Sequence, residues 1–232
     1  MTSIRSSIAT LARLVRCLGK RARGDTSPQS SLDEGPAGEE REQLIRRILS
    51  SIHNNSILVC GGPGTGKTAL LFLLKERLAS GEDPNTEFFP VYIDLHGIPE
   101  RLLFATVARA VLGQLAMSPA NRAASSGADY GHRDLANDFR SVIGTLRTRS
   151  PRRARLVLLV DGIDELNTYD PRTNQRVRSL FMASLAENMV MVAAAVEIDR
   201  HWEQEGSPWY NFFEEVRLAP AAEDPLCDAS PG

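Results

Sequence analysis

Eight consecutive residues, 61–68, read GGPGTGKT and carry the clearest chemical signal in the sequence. They satisfy the pattern G-x-x-x-x-G-K-[ST], in which glycines let the backbone wrap closely with its N–H groups pointing inward. The lysine of this pattern supplies positive charge, and the hydroxyl of the residue that follows it is a ligand for a hard cation. The run therefore predicts a loop that binds the phosphates of a nucleotide together with Mg²⁺.

Each position of this loop has a predicted role. Lys67 neutralises β- and γ-phosphate oxygens, while the hydroxyl of Thr68 binds Mg²⁺. The helix that begins at the loop directs its positive end toward the same phosphates. The residues predicted to contact the nucleotide are Gly61, Gly62, Pro63, Gly64, Thr65, Gly66, Lys67, Thr68 and Ala69.

A second signal is the acidic stretch DGIDE at residues 161–165, directly after the apolar run LVLLV. Acids at the end of a buried parallel strand lie where open α/β sheets bind ligands. We expect Asp161 to hold Mg²⁺, through a water molecule, and Asp164 or Glu165 to orient the attacking water and accept its proton. In the alternative interpretation, Asp161 only caps the next segment of the chain.

Alternating strands and helices position these two stretches. Apolar or β-rich runs predict four strands, at residues 56–60, 88–95, 155–160 and 189–196, and residues 215–218 are a short candidate for a fifth. Helical periodicity predicts helices at residues 39–52, 67–80, 100–117, 134–147 and 173–187. Continuous apolar strands between helices indicate a sheet that is covered on both faces. The predicted fold class is α/β, a three-layer α/β/α sandwich with a mostly parallel five-stranded sheet.

Together, GGPGTGKT at 61–68 and LVLLVDGIDEL at 156–166 resemble the AAA+/STAND branch of P-loop ATPases, of NACHT-like or origin-recognition-like type, over residues 38–218. The DGIDE run is closer to STAND proteins than to AAA+ machines, whose strand ends in adjacent Asp and Glu. Gly162 stands where the AAA+ catalytic glutamate would be. The resemblance implies ATP hydrolysis with Lys67 at the phosphates and Asp164 or Glu165 as the catalytic acid, of which Glu165 is preferred.

The resemblance also raises two questions. In such proteins a polar sensor ends the fourth strand, and this sequence offers Glu197 and Arg200 there. The relatives continue into a helical lid, which we expect to be absent after residue 218. Self-assembly or a partner protein would then supply the lid or an arginine finger. The candidate arginines are Arg147, Arg149, Arg152, Arg153, Arg155, Arg172, Arg176 and Arg178; for the first five, a solvated loop or a nucleic-acid contact are the alternatives.

Composition bounds the remaining interpretations. The 232 residues, 42% of them hydrophobic, suffice for one α/β domain, and the net charge of -2 leaves nucleic-acid binding open but unsupported. No transmembrane run and no disulfide or zinc pattern is visible, which favours a cytoplasmic protein. Residues 1–37 are predicted to be a basic arm and flexible linker, and residues 219–232 a disordered tail.

The predicted function is that of an ATP-driven switch for assembly or signalling. ATP is favoured over GTP because the base-reading N/T-K-x-D element of GTPases is not found. The alternative is a nucleotide-binding regulatory scaffold with little or no hydrolysis.

Overall fold

The computed structural model describes residues 36–118, 130–182 and 188–218. The chain divides into two compact units, Met1–Glu39 and Glu40–Gly232, and all described residues except 36–39 belong to the second unit. The predicted arm and tail lie almost wholly outside the described residues and stay predictions. Among the described residues, no helix is long and apolar enough to cross a membrane.

The described chain contains five strands and five α-helices. The helices are α1 Pro36–Ser51, α2 Lys67–Ala79, α3 Leu103–Gln114, α4 His132–Arg149 and α5 Pro171–Met182. The strands are β1 Ser56–Cys60, β2 Thr86–Asp94, β3 Arg153–Asp161, β4 Met189–Ala195 and β5 Phe213–Arg217. Short 3₁₀ helices span Glu100–Leu102, Ile163–Thr168 and Arg200–Glu203.

The strands form one sheet in the order β2-β3-β4-β1-β5, and every neighbouring pair is parallel. This confirms the predicted five-stranded α/β sheet. Because all strands run the same way, the loop after β1 and the acidic stretch after β3 leave the sheet at the same edge. Strand β4 lies between them, with Ala194 paired to Val59 on one side and to Asp161 on the other.

Two hydrophobic cores cover the two faces of the sheet. Leu159 on β3 packs in the core formed with α1 and α2, whereas its neighbour Leu158 packs in the core formed with α3, α4 and α5. This alternation follows from the two-residue period of a strand, and both faces are apolar because both are covered. The predicted three-layer sandwich is therefore confirmed.

One prediction about the arginines near the start of β3 was wrong. Arg155 does not lie in a solvated loop: it belongs to β3, is only 4% exposed, and donates a hydrogen bond to the carbonyl oxygen of His53. Arg152 is also used within the fold, since its guanidinium donates to the carbonyl oxygens of Gly81 and Asp83. Arg147 is exposed, but it lies in α4 rather than in a loop.

Two tryptophans before β5 pack in the core. Trp202 and Trp209 are each 3% exposed and stack at 5.1 Å between ring centroids. Phe213 stacks on both indoles.

Candidate nucleotide-binding site

The glycine-rich loop joins the end of β1 to the first turn of α2. Gly64 and Gly66 have φ angles of 76° and 85°, in the left-handed region that a side chain disfavours. A Cβ atom at Gly61 would lie 2.8 Å from the hydroxyl oxygen of Thr65. These three glycines therefore allow the tight turn that the sequence pattern predicts.

Lys67 points back into the loop. Its ammonium group donates hydrogen bonds to the carbonyl oxygens of Gly61 and Gly62, at 2.7 and 2.8 Å. The positive charge thus lies among the backbone groups expected to surround the phosphates. A phosphate oxygen could replace either neutral carbonyl as the acceptor and form a stronger bond, because both partners would then be charged.

Thr68 and Asp161 are in direct contact although they are 93 residues apart in sequence. The hydroxyl of Thr68 donates to Oδ2 of Asp161 at 2.6 Å. A hydroxyl has one proton and two lone pairs, so Thr68 can make this bond and still coordinate a cation. Asp161 is 3% exposed, which fixes its carboxylate beside the loop. The structure therefore brings the two predicted metal-site residues together.

Tyr92 is part of the same cluster and was missed from the sequence. Its hydroxyl donates to the same Oδ2 atom of Asp161 at 3.0 Å. Burial, followed by the charge of Asp161, raises the pKa of Tyr92, so the phenol keeps its proton and donates it. Tyr92 lies two residues before the end of β2, on the face that Asp161 shares, and this placement follows from the pairing of β2 with β3 rather than from a sequence motif.

The two candidate catalytic acids have different surroundings. Glu165 accepts a hydrogen bond from the backbone N–H of Gly97 at 2.8 Å. Oδ1 of Asp164 is buried and has no hydrogen-bond partner among the described residues. A buried carboxylate oxygen without a donor is costly unless a ligand supplies one. The geometry thus separates two residues that the sequence could not rank on physical grounds.

An imidazole fills the space beside Gly162. Gly162 has a φ angle of 69°, and a Cβ atom there would lie 2.9 Å from ring atoms of His96. Nδ1 of His96 lies 2.7 Å from Oδ1 of Asp94, and this hydrogen bond raises the pKa of the imidazole. A side chain at position 162 is therefore excluded by both the backbone and His96.

Arg41 of α1 reaches the loop from the other side. Its Nη2 atom lies 2.5 Å from where a Cβ atom at Gly66 would be, and the residue is half-buried. Nothing in the helical pattern around residue 41 distinguishes this arginine from its neighbours. Only the fold shows that its charge lies against the phosphate loop.

The remaining predicted positions are less closely tied to the site. The side chains of Glu197 and Arg200 are exposed, and the backbone oxygen of Glu197 accepts a hydrogen bond from Asn167, which lies just after the acidic stretch.

Cys60 is 9% exposed, and burial followed by the charge of Glu215 raises the pKa of its thiol to about 11. The thiol is therefore protonated near neutral pH and has a packing role.

The arginines at the start of β3 lie at the opposite edge of the sheet from the loop. Arg147, Arg152 and Arg153 line a pocket of about 280 Å³ there. A role as an arginine finger could therefore be exerted only on another molecule, and it stays a prediction.

The residues present fit Mg²⁺. A threonine hydroxyl and a carboxylate are the oxygen ligands that this cation prefers, and it commonly takes the rest from substrate phosphates and water. In the described parts of the chain, no three His, Cys, Asp or Glu side chains gather to hold a metal by themselves. A site that Mg²⁺ enters with a nucleotide agrees with both observations.

Comparison with protein families identifies the class. The family described as "AAA ATPase domain" matches residues 38–192, which is more than half of the chain. The chain therefore belongs to the AAA ATPase domain family and is a nucleotide-binding P-loop ATPase. A comparison with curated protein sequences found no match.

Solved structures share the fold. Aeropyrum pernix ORC1 in complex with DNA has a TM-score of 0.53 and 19% identity, over 85% of this chain and 47% of that one. The Walker-type ATPase of Pyrococcus abyssi has a TM-score of 0.52 and 15% identity, over 84% of this chain and 56% of that one. Pyrobaculum aerophilum Cdc6p has a TM-score of 0.52 and 19% identity, over 84% and 48%. This chain thus shares the fold of these proteins and spans about half of their length.

Proposed function

We propose that the chain binds Mg·ATP in the loop at residues 61–68 and hydrolyses it to ADP and phosphate, as a switch for assembly or signalling. The contact between Thr68 and Asp161 carries this proposal, because it joins the phosphate loop to the acidic strand end at 2.6 Å. Lys67, already directed into the loop, supports it. A cytoplasmic location and a STAND-like subtype belong to the same proposal.

Binding requires one local rearrangement. The ammonium group of Lys67 exchanges the carbonyl oxygens of Gly61 and Gly62 for β- and γ-phosphate oxygens, while the N–H groups of the loop and of the α2 N-terminus face the phosphates. Thr68 and Asp161 hold Mg²⁺, which when bound neutralises charge on the phosphate oxygens. Arg41, packed against Gly66, adds positive charge beside the loop.

Hydrolysis requires a carboxylate near the γ-phosphate. The attacking water forms a bond to the γ-phosphorus and gives its proton to the carboxylate, and the bond from that phosphorus to the β–γ bridging oxygen breaks to leave ADP. We assign this role to Asp164, whose buried Oδ1 lacks a donor among the described residues, in preference to Glu165, whose carboxylate is hydrogen-bonded to Gly97. Glu165 is then a residue that fixes the segment after β2.

A regulatory scaffold with little hydrolysis is the second candidate. It is favoured by Gly162, which stands where the resemblance places a catalytic glutamate and whose side-chain space is filled by His96. In this case the nucleotide would order the site without turnover. If a second copy or another protein supplies a lid or an arginine, the isolated chain would be inactive and the assembly would be active.

Nucleotide binding is tested by calorimetry with Mg·ATP. Lys67→Ala removes the charge that pairs with the phosphates, and we expect affinity to fall on the order of 100-fold, since charge-assisted hydrogen bonds contribute about 1.5–3 kcal/mol each. Arg77→Ala is the matched control, because it removes a cation from the exposed end of the same helix. Unchanged affinity in Lys67→Ala would refute the assignment of the loop.

Hydrolysis is tested by phosphate release with protein concentration varied. Asp164→Asn should retain nucleotide and slow turnover on the order of 10²- to 10⁴-fold, the usual contribution of a general base. Glu165→Gln should have a much smaller effect. A rate per molecule that rises with concentration would support assembly, whereas binding without phosphate release at any concentration would favour the scaffold.

A further inference from the structure

We infer that Tyr92 is a positioning residue for the Mg²⁺ site, holding the carboxylate of Asp161 in the orientation that receives the cation. The inference rests on the proposed function and adds a residue that the loop and the acidic stretch do not include. It is drawn from the strand register, the shared hydrogen-bond acceptor and the contacts that fix the tyrosine ring.

The register explains how Tyr92 reaches Asp161. Tyr92 pairs with Leu159 across the parallel strands β2 and β3, and Asp161 follows Leu159 by two residues on the same face. Diagonal neighbours on one face of a sheet lie within reach of a long aromatic side chain. The phenol thus crosses from β2 to the end of β3, where its oxygen lies 3.0 Å from Oδ2.

Two hydroxyl donors converge on one carboxylate oxygen. Thr68 and Tyr92 both donate to Oδ2 of Asp161, so the rotation of the carboxylate is fixed from two sides. Oδ1 accepts neither of these two hydrogen bonds and would be the carboxylate oxygen that serves the Mg²⁺ site. If Thr68 shifts toward Mg²⁺, the hydrogen bond from Tyr92 would keep the carboxylate of Asp161 in its orientation. Outer residues of this kind orient metal ligands in many sites.

The position of the Tyr92 ring is itself fixed. Phe72 of α2 stacks on it at 4.6 Å between centroids with an interplanar angle of 27°. The side-chain amide of Gln114 accepts from the Tyr92 backbone N–H at 3.1 Å and donates to the Tyr92 carbonyl at 2.6 Å. Lys75 in turn donates to Gln114 at 2.6 Å. Ring and backbone are both held, so the hydroxyl has little freedom to leave Asp161.

Tyr92→Phe tests the inference because it removes the hydroxyl and keeps the ring. The measurement is binding of a fluorescent ATP analogue, titrated with Mg²⁺ and repeated in excess EDTA. We expect the Mg²⁺ concentration for half-maximal effect to rise about tenfold or more, the usual cost of losing a residue that orients a metal ligand. Binding in EDTA should change less than about twofold, since one hydroxyl away from the phosphates is lost.

Two controls make the result specific. Tyr130→Phe removes another tyrosine–carboxylate hydrogen bond, to Asp138 at 2.6 Å, in the core on the other face of the sheet, and should leave the Mg²⁺ dependence unchanged. In an Asp161→Asn background, Tyr92→Phe should have less than about a twofold further effect, because the carboxylate it positions is gone.

Three outcomes would overturn the inference. The first is an unchanged Mg²⁺ dependence in Tyr92→Phe, and the second is a lower Mg²⁺ requirement, which would mean that the hydroxyl blocks the cation. The third is an equal loss of binding in EDTA, which would mean a general effect on the fold. Failure of the proposed function is separate, because it would appear as absence of nucleotide binding in the unmodified protein.

Discussion

Gly162 joins two constraints at a single residue. Its φ angle of 69° lies in the left-handed region. A Cβ atom at this position would lie 2.9 Å from the imidazole ring of His96, which is too close. The backbone turn between Asp161 and the next 3₁₀ helix therefore depends on the absence of a side chain. It also sets where the 3₁₀ helix that carries Asp164 and Glu165 in its first turn begins.

Gly162→Ala should accordingly destabilise the protein by about 1–3 kcal/mol, the usual range for a side chain forced into a strained conformation. Chemical denaturation measures the change. Gly144→Ala is the matched control: Gly144 lies within α4 with open space where a Cβ atom would be, so alanine there should stabilise the fold by about 0.5–1 kcal/mol. A neutral Gly162→Ala would mean that His96 can move aside at no cost.

The sequence could predict a site residue only where its role follows from neighbouring residues in the chain. Lys67 and Thr68 were identifiable because their roles follow from a contiguous motif. Tyr92 and Arg41 were not, because their contacts to Asp161 and Gly66 arise from strand register and helix packing between distant segments. The choice between Asp164 and Glu165 also required the position of the Gly97 amide, which no spacing in the sequence reveals.

Among the elements, α1 shows how a helix outside the motif supports it. Ile45, Ile48 and Ile52 recur at helical spacing, are 0–3% exposed and pack in the core shared with α2. This face holds α1 against the sheet, and α1 in turn carries Arg41 to the phosphate loop. The burial of its isoleucines is therefore a condition for the arginine contact.

Ile48→Ala should cost about 2–5 kcal/mol, as large-to-small changes in a packed core do. Because α1 also positions Arg41, we expect nucleotide affinity to fall as well, in protein that is still folded at low temperature. Denaturant unfolding and calorimetry measure the two effects. Arg46→Ala, an exposed change on the same helix, should stay within about 0.5 kcal/mol; a comparable loss there would contradict the packing argument.

Element types were predictable and their ends less so. Apolar runs identified the first four strands, whereas β5 was only a short candidate at residues 215–218 and lies at Phe213–Arg217. Strand β3 begins at Arg153, two residues before its predicted start, because hydrogen bonds to its neighbours rather than hydrophobicity decide where a strand begins. The helix expected after residue 99 begins as the 3₁₀ turn Glu100–Leu102, and the 3₁₀ helix Ile163–Thr168 was not expected. Such short helices have too few residues for a periodic signal.

For the molecule as a whole, one of the two cores is incompletely filled. The core beneath α3, α4 and α5 contains a cavity of about 40 Å³ lined only by apolar side chains, Val177 and Phe181 of α5 among them. At roughly 24 cal/mol per Å³, such a void corresponds to about 1 kcal/mol of lost packing. The phosphate loop adjoins the other core, so the void lies on the face of the sheet away from it.

Val177→Ile extends one methyl group toward this cavity and should stabilise the protein by about 0.5–1 kcal/mol. Val142→Ile is the control, since Val142 is 2% exposed in the same core but does not line the cavity, and overpacking there should cost about 1–3 kcal/mol. Thermal or denaturant unfolding compares the two. Equal destabilisation by both would show that the cavity cannot accept a methyl group.

The contact between Gln114 and Tyr92 has a consequence for how these molecules can meet. β2 is an outer strand of the sheet, and an outer strand with unpaired backbone groups invites a strand from another chain. The Gln114 amide takes both the N–H and the C=O of Tyr92, and Pro90, two residues earlier, has no N–H to offer. Along this part of β2 the edge of the sheet is thus protected against pairing with a strand from another chain.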